Sequence, residues 1–511
     1  MSHGPRSPVS ANFQLGRDRL LLLVLTGLFL TVPLFVVTFV PIADLPQQVA
    51  QVRLFVDAVS DPETAYRVQW LAPNRLSYLL FGLLWPLLPP LWVGRVAVAL
   101  LAWAWAVAIH LLASRRQRSA SAATIAALFF FNAALYWGFI NFLCGFPLFV
   151  AWFSLTTRKG PRSDNWRALP SYLREMLLLA LSAGLLFLAH ALWLAAAIVW
   201  LALHTLVSRP SWITIATRFG GTVPILALAL IWYPSLKASG FSKPPVWGLH
   251  TLQRIDPKWL VDAALGGLRG SFEPLVLGLV LFWIGLGLFE NWRRLREKTD
   301  LELLAVAVMF AWASLVLPYR YTNAILIAER WLPVAMVFFL LAMPRPSMGL
   351  PVYASRIGAI ALLAFFCVQT AIIWHRVDHD EFSGLRSALK ALPDRPMVLG
   401  LDMASRSRMV KTSRPFLQTA AYSQVLKGGS LHFTFAYHPT SLVVMKKAPP
   451  PQWTGGLEWY PRRVRRRDFF YFTHVLLNGT RHTHREFGAR SYLKPVTRHG
   501  RWRLYRVLSS K

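Results

Sequence analysis

Cysteine and acidic residues are both scarce in this chain of 511 residues. The two cysteines, Cys144 and Cys367, lie in apolar runs, so the sequence contains no disulfide framework. Asp and Glu together number 23 against 55 Lys and Arg, and the formal net charge is +32. No G-x-G-x-x-G pattern follows a strand-like run, which disfavours a cytosolic type of transferase that uses nucleotide sugars.

Apolar residues, by contrast, are abundant, because 55% of the chain is hydrophobic and 14% is aromatic. This composition excludes a soluble globular protein and predicts a mostly α-helical, polytopic membrane protein. Eleven apolar runs are predicted to span the membrane, some of them short for a spanning helix. They lie at about 20–40, 93–113, 119–137, 142–157, 176–190, 191–207, 219–236, 274–290, 301–317, 331–343 and 356–375.

Loop charges set the predicted orientation. If residue 1 is cytoplasmic, the short loops on that side are all net basic, as the positive-inside rule requires. These loops are 115–118, 158–167, 208–218, 291–298 and 344–356. The N-terminal run is too long for a signal peptide and lacks a small-x-small cleavage site, so we expect a retained helix. The Arg- and Ala-rich usage indicates a bacterial inner membrane.

Two domains are predicted, a membrane module over 1–375 and an α/β domain over 376–511. The odd number of crossings places the second domain on the outer, periplasmic side. The module has outer loops at 41–92 and 237–272, and its basic residues mostly report topology rather than nucleic-acid binding. The C-terminal domain is expected to contain one amphipathic helix and several strands, at 381–392, 397–401, 441–445, 469–477 and 502–508.

The first outer loop contains two further predicted helices. Pro46–Val59 is amphipathic and is expected to lie on the membrane surface. The apolar segment Leu76–Leu88 would reverse the later loops if it crossed the bilayer, so we interpret it as a re-entrant or interfacial helix that ends at prolines.

An aspartate follows the first apolar run directly, in the sequence PIADLPQQVA. Asp44 lies in an apolar collar at the predicted membrane boundary, and burial there is expected to raise its pKa, which makes it a candidate general base. The simpler interpretation is a helix N-cap, because Pro46 suits a first helical turn and Gln47 has the spacing of a capping box. The two interpretations are compatible.

This layout resembles the GT-C superfamily of integral-membrane glycosyltransferases, which use polyprenyl-phosphate-linked sugars. The resemblance rests on the outer loop with Asp44 after the first helix, on Pro73-Asn74 before an interfacial helix, and on an outer α/β domain. Related bacterial proteins often carry a histidine where this chain has Gln48. Many members also carry a paired acid in this loop, and none lies adjacent to Asp44 here.

The resemblance implies inverting sugar transfer, with Asp44 as the base and a lipid phosphate as the leaving group. The implied partners are a polyprenyl-phosphate-linked sugar, a lipid or glycan acceptor and membrane lipids, with no nucleic acid. Some members use a divalent metal, but no cluster here has ligand spacing, so no cofactor is predicted. The predicted substrate-binding residues are Gln47, Gln48, Arg53, Asn74, Arg75, His190, Arg320, Glu329 and Arg330.

Several alternatives remain open at this level. His190 either faces the substrate cavity or packs with a bond to the backbone. Glu329 and Arg330 either bind phosphate or form a cluster that reaches the headgroups, and Arg53 and Arg75 are substitute phosphate ligands. The whole chain could instead be a non-catalytic GT-C-like scaffold that binds lipid in polysaccharide assembly, or a transporter or lipid flippase.

Overall fold

The computed structural model of the chain describes residues 16–508, apart from 62, 159–168, 237–242, 323, 348–351, 439 and 448–451. Most of the predicted basic loop 158–167 and the beginning of the outer loop 237–272 therefore lie outside the described residues. The α-helices in chain order are α1 (Arg17–Phe35), α2 (Leu45–Ser60), α3 (Leu76–Leu84), α4 (Pro90–Arg115), α5 (Ala120–Ala126), α6 (Ala133–Trp137), α7 (Ile140–Thr156), α8 (Leu169–Ala189), α9 (Ala191–Ser208), α10 (Trp212–Leu236), α11 (Pro257–Ala264), α12 (Phe272–Glu290), α13 (Leu295–Lys298), α14 (Leu301–Val316), α15 (Trp331–Ala342), α16 (Val352–Arg376), α17 (Leu385–Lys390), α18 (Ala421–Lys427), α19 (Arg466–Phe469) and α20 (Arg481–Gly488). The strands are β1 (Tyr66–Val68), β2 (Arg320–Tyr321), β3 (Ala324–Ile325), β4 (Met397–Asp402), β5 (Ser430–Leu431), β6 (Val443–Met445), β7 (His474–Asn478), β8 (Leu493–Pro495) and β9 (Trp502–Val507).

The membrane part of the chain is built from apolar helices. Among the described residues, eight helices are long and apolar enough to cross a membrane. They are Arg17–Phe35, Pro90–Arg115, Ala120–Trp137, Leu169–Ala189, Ala191–Ser208, Trp212–Pro234, Phe272–Glu290 and Val352–Glu381. The prediction of a mostly helical polytopic protein is confirmed, whereas the predicted count of eleven is too high.

The remaining three predicted spans also form helices, but shorter ones. Helix α14 reaches spanning length only together with Trp292–Lys298, and a bend of 95° separates the two. Helices α7 and α15 have 17 and 12 residues, and 12 residues rise only about 18 Å, less than the roughly 30 Å of a bilayer core. Both are largely buried, and aromatic rings join them, such as Phe149 and Phe338 at 6.0 Å. Apolarity in these two runs therefore reflects burial within the bundle.

The predicted re-entrant or interfacial segment forms the nine-residue helix α3, which ends just before the proline-rich stretch that starts at Pro86. Its predicted neighbour, the membrane-surface helix, is present as α2, but protein covers its first half. Residues from Leu45 to Val52 are all buried, and α2 contacts α18 of the C-terminal region as well as α3 and α4. The expectation that α2 lies on lipid is therefore wrong for this half, since its apolar face packs against protein.

The C-terminal region contains a five-stranded sheet in the order β5-β4-β7-β9-β8. Strand β4 pairs in parallel with β5 and β7, and β9 is antiparallel to both β7 and β8. Alternate residues face two different cores, because Leu476 joins the large core of the bundle while Val475 and Leu477 join a smaller one. One face of the sheet thus packs on the membrane module.

Two predicted strands differ from the structure in extent or partner. The run 469–477 forms a strand only from His474, because Arg466–Phe469 is helical. Strand β6 belongs to the predicted strand 441–445, yet it pairs antiparallel with β1 of the first outer loop, with Arg67 opposite Val444. The first outer loop and the C-terminal region are therefore joined by a small sheet.

Candidate functional site

Asp44 is held in place by the turn between α6 and α7. The amide of Ala43 donates to the carbonyl of Tyr136 at 2.9 Å, and the amide of Asp44 donates to the carbonyl of Trp137 at 3.1 Å. Gly138 follows with φ +84°, and a Cβ there would lie 2.9 Å from the Asp44 nitrogen. Only glycine fits this close approach without strain. The backbone of Asp44 is therefore fixed by residues almost a hundred positions later in the chain.

The carboxylate of Asp44 is left without hydrogen bonds inside the described part of the chain. Asp44 occupies the N-cap position of α2, but its side chain makes no capping bond. The capping box predicted with Gln47 is therefore absent. The three residues on either side of Asp44 are buried, whereas Asp44 itself is half-buried. Burial raises the pKa of Asp44 to about 7, against the opposing attraction of Arg330.

Arg330 is the cation that attracts the Asp44 carboxylate, and it lies directly before α15 in the sequence. Its guanidinium lies 3.9 Å from the centre of the Phe139 ring, and Nη2 donates to the carbonyl of Ile325 at 2.7 Å. Its Nε is buried with no partner among the described residues. Burial lowers the pKa of Arg330 to about 9, so it remains charged at neutral pH. Asp44 and Arg330 interact electrostatically but form no ion pair within 4.0 Å in the described structure.

His190 meets Arg330 in the turn between α8 and α9. Its Nδ1 accepts from the amide of Leu192 at 3.2 Å, and its Nε2 lies 3.4 Å from Nη1 of Arg330. Burial, together with the charge of Arg330, lowers the pKa of His190 to about 3, which keeps the ring neutral. A neutral imidazole has one acceptor, so if Nδ1 accepts, Nε2 carries the proton and can donate. The bond to the backbone agrees with the packed interpretation of His190, and the interpretation that it faces a substrate cavity stays a prediction.

Further charged residues lie in the segment that contains Arg330. Glu329 is mostly buried, burial raises its pKa against the attraction of Arg254 and Arg330, and one carboxylate oxygen has no partner among the described residues. Arg320 has a buried Nε without a partner in the same part of the structure, and Tyr319 interacts with both Glu329 and Arg320. The segment 318–331 therefore supplies one acid and two arginines, and Arg330 is the one of these charges that acts on Asp44.

The two substitute phosphate ligands, Arg75 and Arg53, both contact other groups of the protein. Arg75 is 1% exposed and donates to the carbonyls of Gln69 and Thr440, both at 2.7 Å, with further bonds to carbonyls next to it in sequence. Arg53 lies on α2 and faces Asp57 at 3.4 Å. Arg75 fastens the segment before α3 to the C-terminal region. Like Arg330, both arginines keep one buried nitrogen without a hydrogen-bond partner among the described residues, Nη2 in Arg75 and Nε in Arg53, so their role as phosphate ligands stays a prediction.

The amide residues predicted at the site have mainly structural contacts. Gln48 donates to the carbonyl of Gly138, while its own buried carbonyl oxygen has no partner in the described part of the protein. Gln47 exchanges hydrogen bonds with the C-terminal region at Phe433 and Phe435, at 3.0 and 3.1 Å. Asn74 adopts φ +64° and leaves its Oδ1 buried without a described partner. Gln48 therefore supports the Asp44 turn in the place of a titrating histidine.

Three residues of the site were not found from the sequence. Tyr78 on α3 is buried and interacts electrostatically with both Asp44 and Arg75. Arg254 donates to the carbonyls of Ser314, Leu315, Leu317 and Trp247, and it attracts Glu329. Gly138 sets the approach of Asp44. Each owes its place to contacts between distant segments, for which the local sequence gives no signal.

Within the described residues, no group of three His, Cys, Asp or Glu side chains is arranged to hold a metal ion. In comparisons with known proteins, no family model matches this chain, and no curated protein is significantly similar to it. The chemistry of the candidate site must therefore be argued from the side chains of Asp44, Arg330 and His190. It combines an acid that titrates near neutrality, a fixed guanidinium and a neutral imidazole.

Proposed function

We propose that this chain is a membrane glycosyltransferase of the GT-C type, which transfers a sugar from a polyprenyl-phosphate donor to an acceptor hydroxyl with inversion. The observation that carries the proposal is the pairing of Asp44, partly accessible and free of hydrogen bonds, with a buried Arg330 that keeps an unused donor. A base and an anion ligand on opposite sides of a reacting carbon are what such a reaction needs.

In the proposed reaction, Asp44 takes the proton of the acceptor hydroxyl while that oxygen attacks the anomeric carbon. The bond between this carbon and the phosphate oxygen breaks, and the polyprenyl phosphate leaves with the electron pair. Arg330 stabilises the developing negative charge, and Nε2–H of His190 donates to the same phosphate. A carboxylate with a pKa near 7 is well matched to this role, because about half of it is unprotonated at neutral pH.

The orientation belongs to the same proposal. Asp44 lies between α1 and α2, Arg330 lies directly before α15, and Gln47 and Arg75 donate hydrogen bonds to carbonyls of the C-terminal region. With the N-terminus in the cytoplasm of a bacterial cell, Asp44 follows the first crossing and lies at the outer face of the inner membrane. The C-terminal domain is then periplasmic with nine crossings, in which Trp292–Lys298 and Leu301–Val316 count as one bent span. Reporter fusions at 116 and 400 should then fall on opposite sides.

The test measures release of polyprenyl phosphate from a panel of short-chain polyprenyl-phosphate hexoses by the full-length protein and by Asp44→Asn. We expect turnover to fall about a thousandfold, the usual scale for a removed general base, while polyprenyl-phosphate binding stays within about twofold. Equal turnover in the variant would remove Asp44 from the base role. Tight binding without turnover by the native protein on every donor and acceptor tried would instead support the lipid-binding scaffold.

A further inference from the structure

A recess whose lining does not include Asp44 lies beside the membrane bundle. It has a volume of about 370 Å³ and opens where α1 ends and α4 begins. A neighbouring hollow of about 390 Å³ shares Leu91, Arg386 and Leu426 with it, so the two form one groove that reaches α17 and α18. We call this the α1–α4 groove. Its lining is Phe35, Val36, Val37, Thr38, Phe39, Pro89, Pro90, Leu91, Trp92, Arg95, Arg386, Leu389, Lys390, Leu426 and Lys427.

The groove is strongly cationic. Arg95, Arg386, Lys390 and Lys427 line it, and none of the described lining residues is acidic. The carboxylate of Asp378 accepts hydrogen bonds from the amides of Thr38 and Phe39 at 2.7 and 3.1 Å. Asp394 faces Lys427 at 3.5 Å but is itself almost fully exposed. Asp378 attracts Arg95, whereas Arg386 repels it. The four cations outnumber these two acids, and this excess of positive charge favours binding of an anion.

Arg95 is the fixed cation of the groove. It is 7% exposed, its guanidinium lies 4.1 Å from the centre of the Trp92 ring, and it donates to the carbonyl of Val37. Its buried Nε has no partner in the described structure. An arginine fixed by a stacked ring and a carbonyl, with a donor left over, is built to receive a further acceptor.

The groove also has an exposed apolar side. Phe35, Val36 and Trp92 are each more than 40% exposed, and the rings of Phe35 and Trp92 lie 6.2 Å apart. Tryptophan at the end of a spanning helix is typical of the headgroup level of a membrane. The cations of α17, Arg386 and Lys390, are exposed above this apolar edge. Apolar chains and a negative headgroup are therefore matched in one place.

We propose that the α1–α4 groove binds the phosphate headgroup of an anionic membrane phospholipid, whose acyl chains lie against Phe35, Val36 and Trp92. Arg95 and Arg386 hold the phosphate, and Lys390 and Lys427 extend the positive surface toward the C-terminal region. The bound lipid would tie the ends of α1 and α4 to α17. The groove residues do not include Asp44, Arg330 or His190, so the proposal does not rest on the proposed sugar transfer.

The test uses native mass spectrometry of the purified full-length protein with phosphatidylglycerol and, separately, phosphatidylcholine. The variant is Arg386→Gln/Lys390→Gln, because both side chains are exposed and glutamine keeps the helix. The control is Arg462→Gln/Arg485→Gln, which removes the same charge from exposed positions outside the groove. Each cation near a lipid headgroup is worth about fivefold in affinity, so we expect phosphatidylglycerol binding to weaken at least tenfold in the variant and less than twofold in the control.

Other outcomes overturn the proposal. Equal loss in the control variant would mean general surface attraction, and equal retention of phosphatidylcholine would mean an apolar groove without headgroup selectivity. Displacement of the lipid by excess inorganic phosphate would identify a site for a free anion. Melting temperatures of both variants without lipid report whether the fold is intact, and only variants that melt within about 3 °C of the native protein are compared.

Discussion

Two of the aspartates that occupy the N-cap position of a helix, Asp44 and Asp300, have opposite surroundings. Asp300 begins α14 and accepts the amides of Glu302 and Leu303 at 3.1 Å, together with two bonds from Arg116 at 2.7 and 2.8 Å. Asp44 begins α2 and accepts no such bond. Burial favours protonation of both acids, but at Asp300 the bonds outweigh it and lower the pKa, whereas at Asp44 the pKa rises to about 7.

The cations beside them differ in the same way. Arg116 pairs with both Asp300 and Glu302 at 2.7 Å, and Arg118 next to it donates to the carbonyls that end α15. Arg330, near Asp44, keeps an unpartnered Nε and stays outside ion-pair distance of the acid. A satisfied cluster contributes to stability, while an unsatisfied one costs stability that only a ligand can offset. We therefore interpret the Arg116 cluster as structural and the Asp44 cluster as functional.

The largest expected effect comes from removing the cation of the functional cluster. Arg330→Gln should weaken binding of polyprenyl phosphate about a hundredfold, since a buried charge-assisted contact to phosphate is worth about 3 kcal/mol. Isothermal titration with a short-chain polyprenyl phosphate measures this loss, with Arg462→Gln as the matched control on an exposed arginine. If the two variants bind alike, the phosphate is held elsewhere.

The pH dependence sharpens the comparison. A base must be unprotonated, so kcat/KM should rise with pH up to an apparent pKa near 7 and fall about tenfold per unit below it. Because Arg330 lowers the pKa of Asp44, the residual activity of Arg330→Gln should require a higher pH than that of the native protein. Initial rates between pH 5.5 and 9 decide the matter, and a flat profile over this range would contradict the assignment of Asp44.

The smallest and most discriminating effects concern stability. Asp300→Asn keeps a capping acceptor but loses the charge pair with Arg116, and we expect unfolding to become easier by about 2 kcal/mol, with sugar transfer unchanged. Asp44→Asn should have the opposite effects, because stability is kept or raised while sugar transfer is lost. The raised pKa of Asp44 means that stability falls as the pH rises from about 4 to about 7, and the asparagine escapes this loss.

Melting temperatures at pH 8 in detergent provide the measurement for both variants. Asp300→Asn is expected to melt below the native protein, and Asp44→Asn at or above it. The same direction of change in both would show that the two caps do the same work, and the division between a structural and a functional cluster would fail.

The comparison also indicates how far the sequence could lead. The sequence PIADLP placed Asp44 after an apolar run and before a helix, and a raised pKa followed from burial alone. Arg330 was selected because a charge at the mouth of a bundle needs a partner. Nothing in the neighbourhood of Asp300 separated it from an ordinary cap, since its partner Arg116 is 184 residues away.

Other features depended on pairings that local patterns do not encode. The apolar pattern predicted the long helical runs, but it did not separate runs buried in protein, such as α7 and α15, from runs that meet lipid. Gln47 looked like a capping residue, and its actual partners, Phe433 and Phe435, lie almost 390 residues away. The strand β6 was predicted, and its partner β1 was not.

The pairing of β1 with β6 bears on the order in which the protein is made. Tyr66–Val68 leaves the ribosome early, whereas Val443–Met445 is translated when most of the polypeptide has already been inserted. The hydrogen bond that Gln51 accepts from the amide of Val443 at 2.9 Å likewise forms only after Val443 has been translated. The segment between α1 and α4 therefore lacks these partners through most of translation, and a product truncated before residue 443 would leave the edge of β1 unpaired.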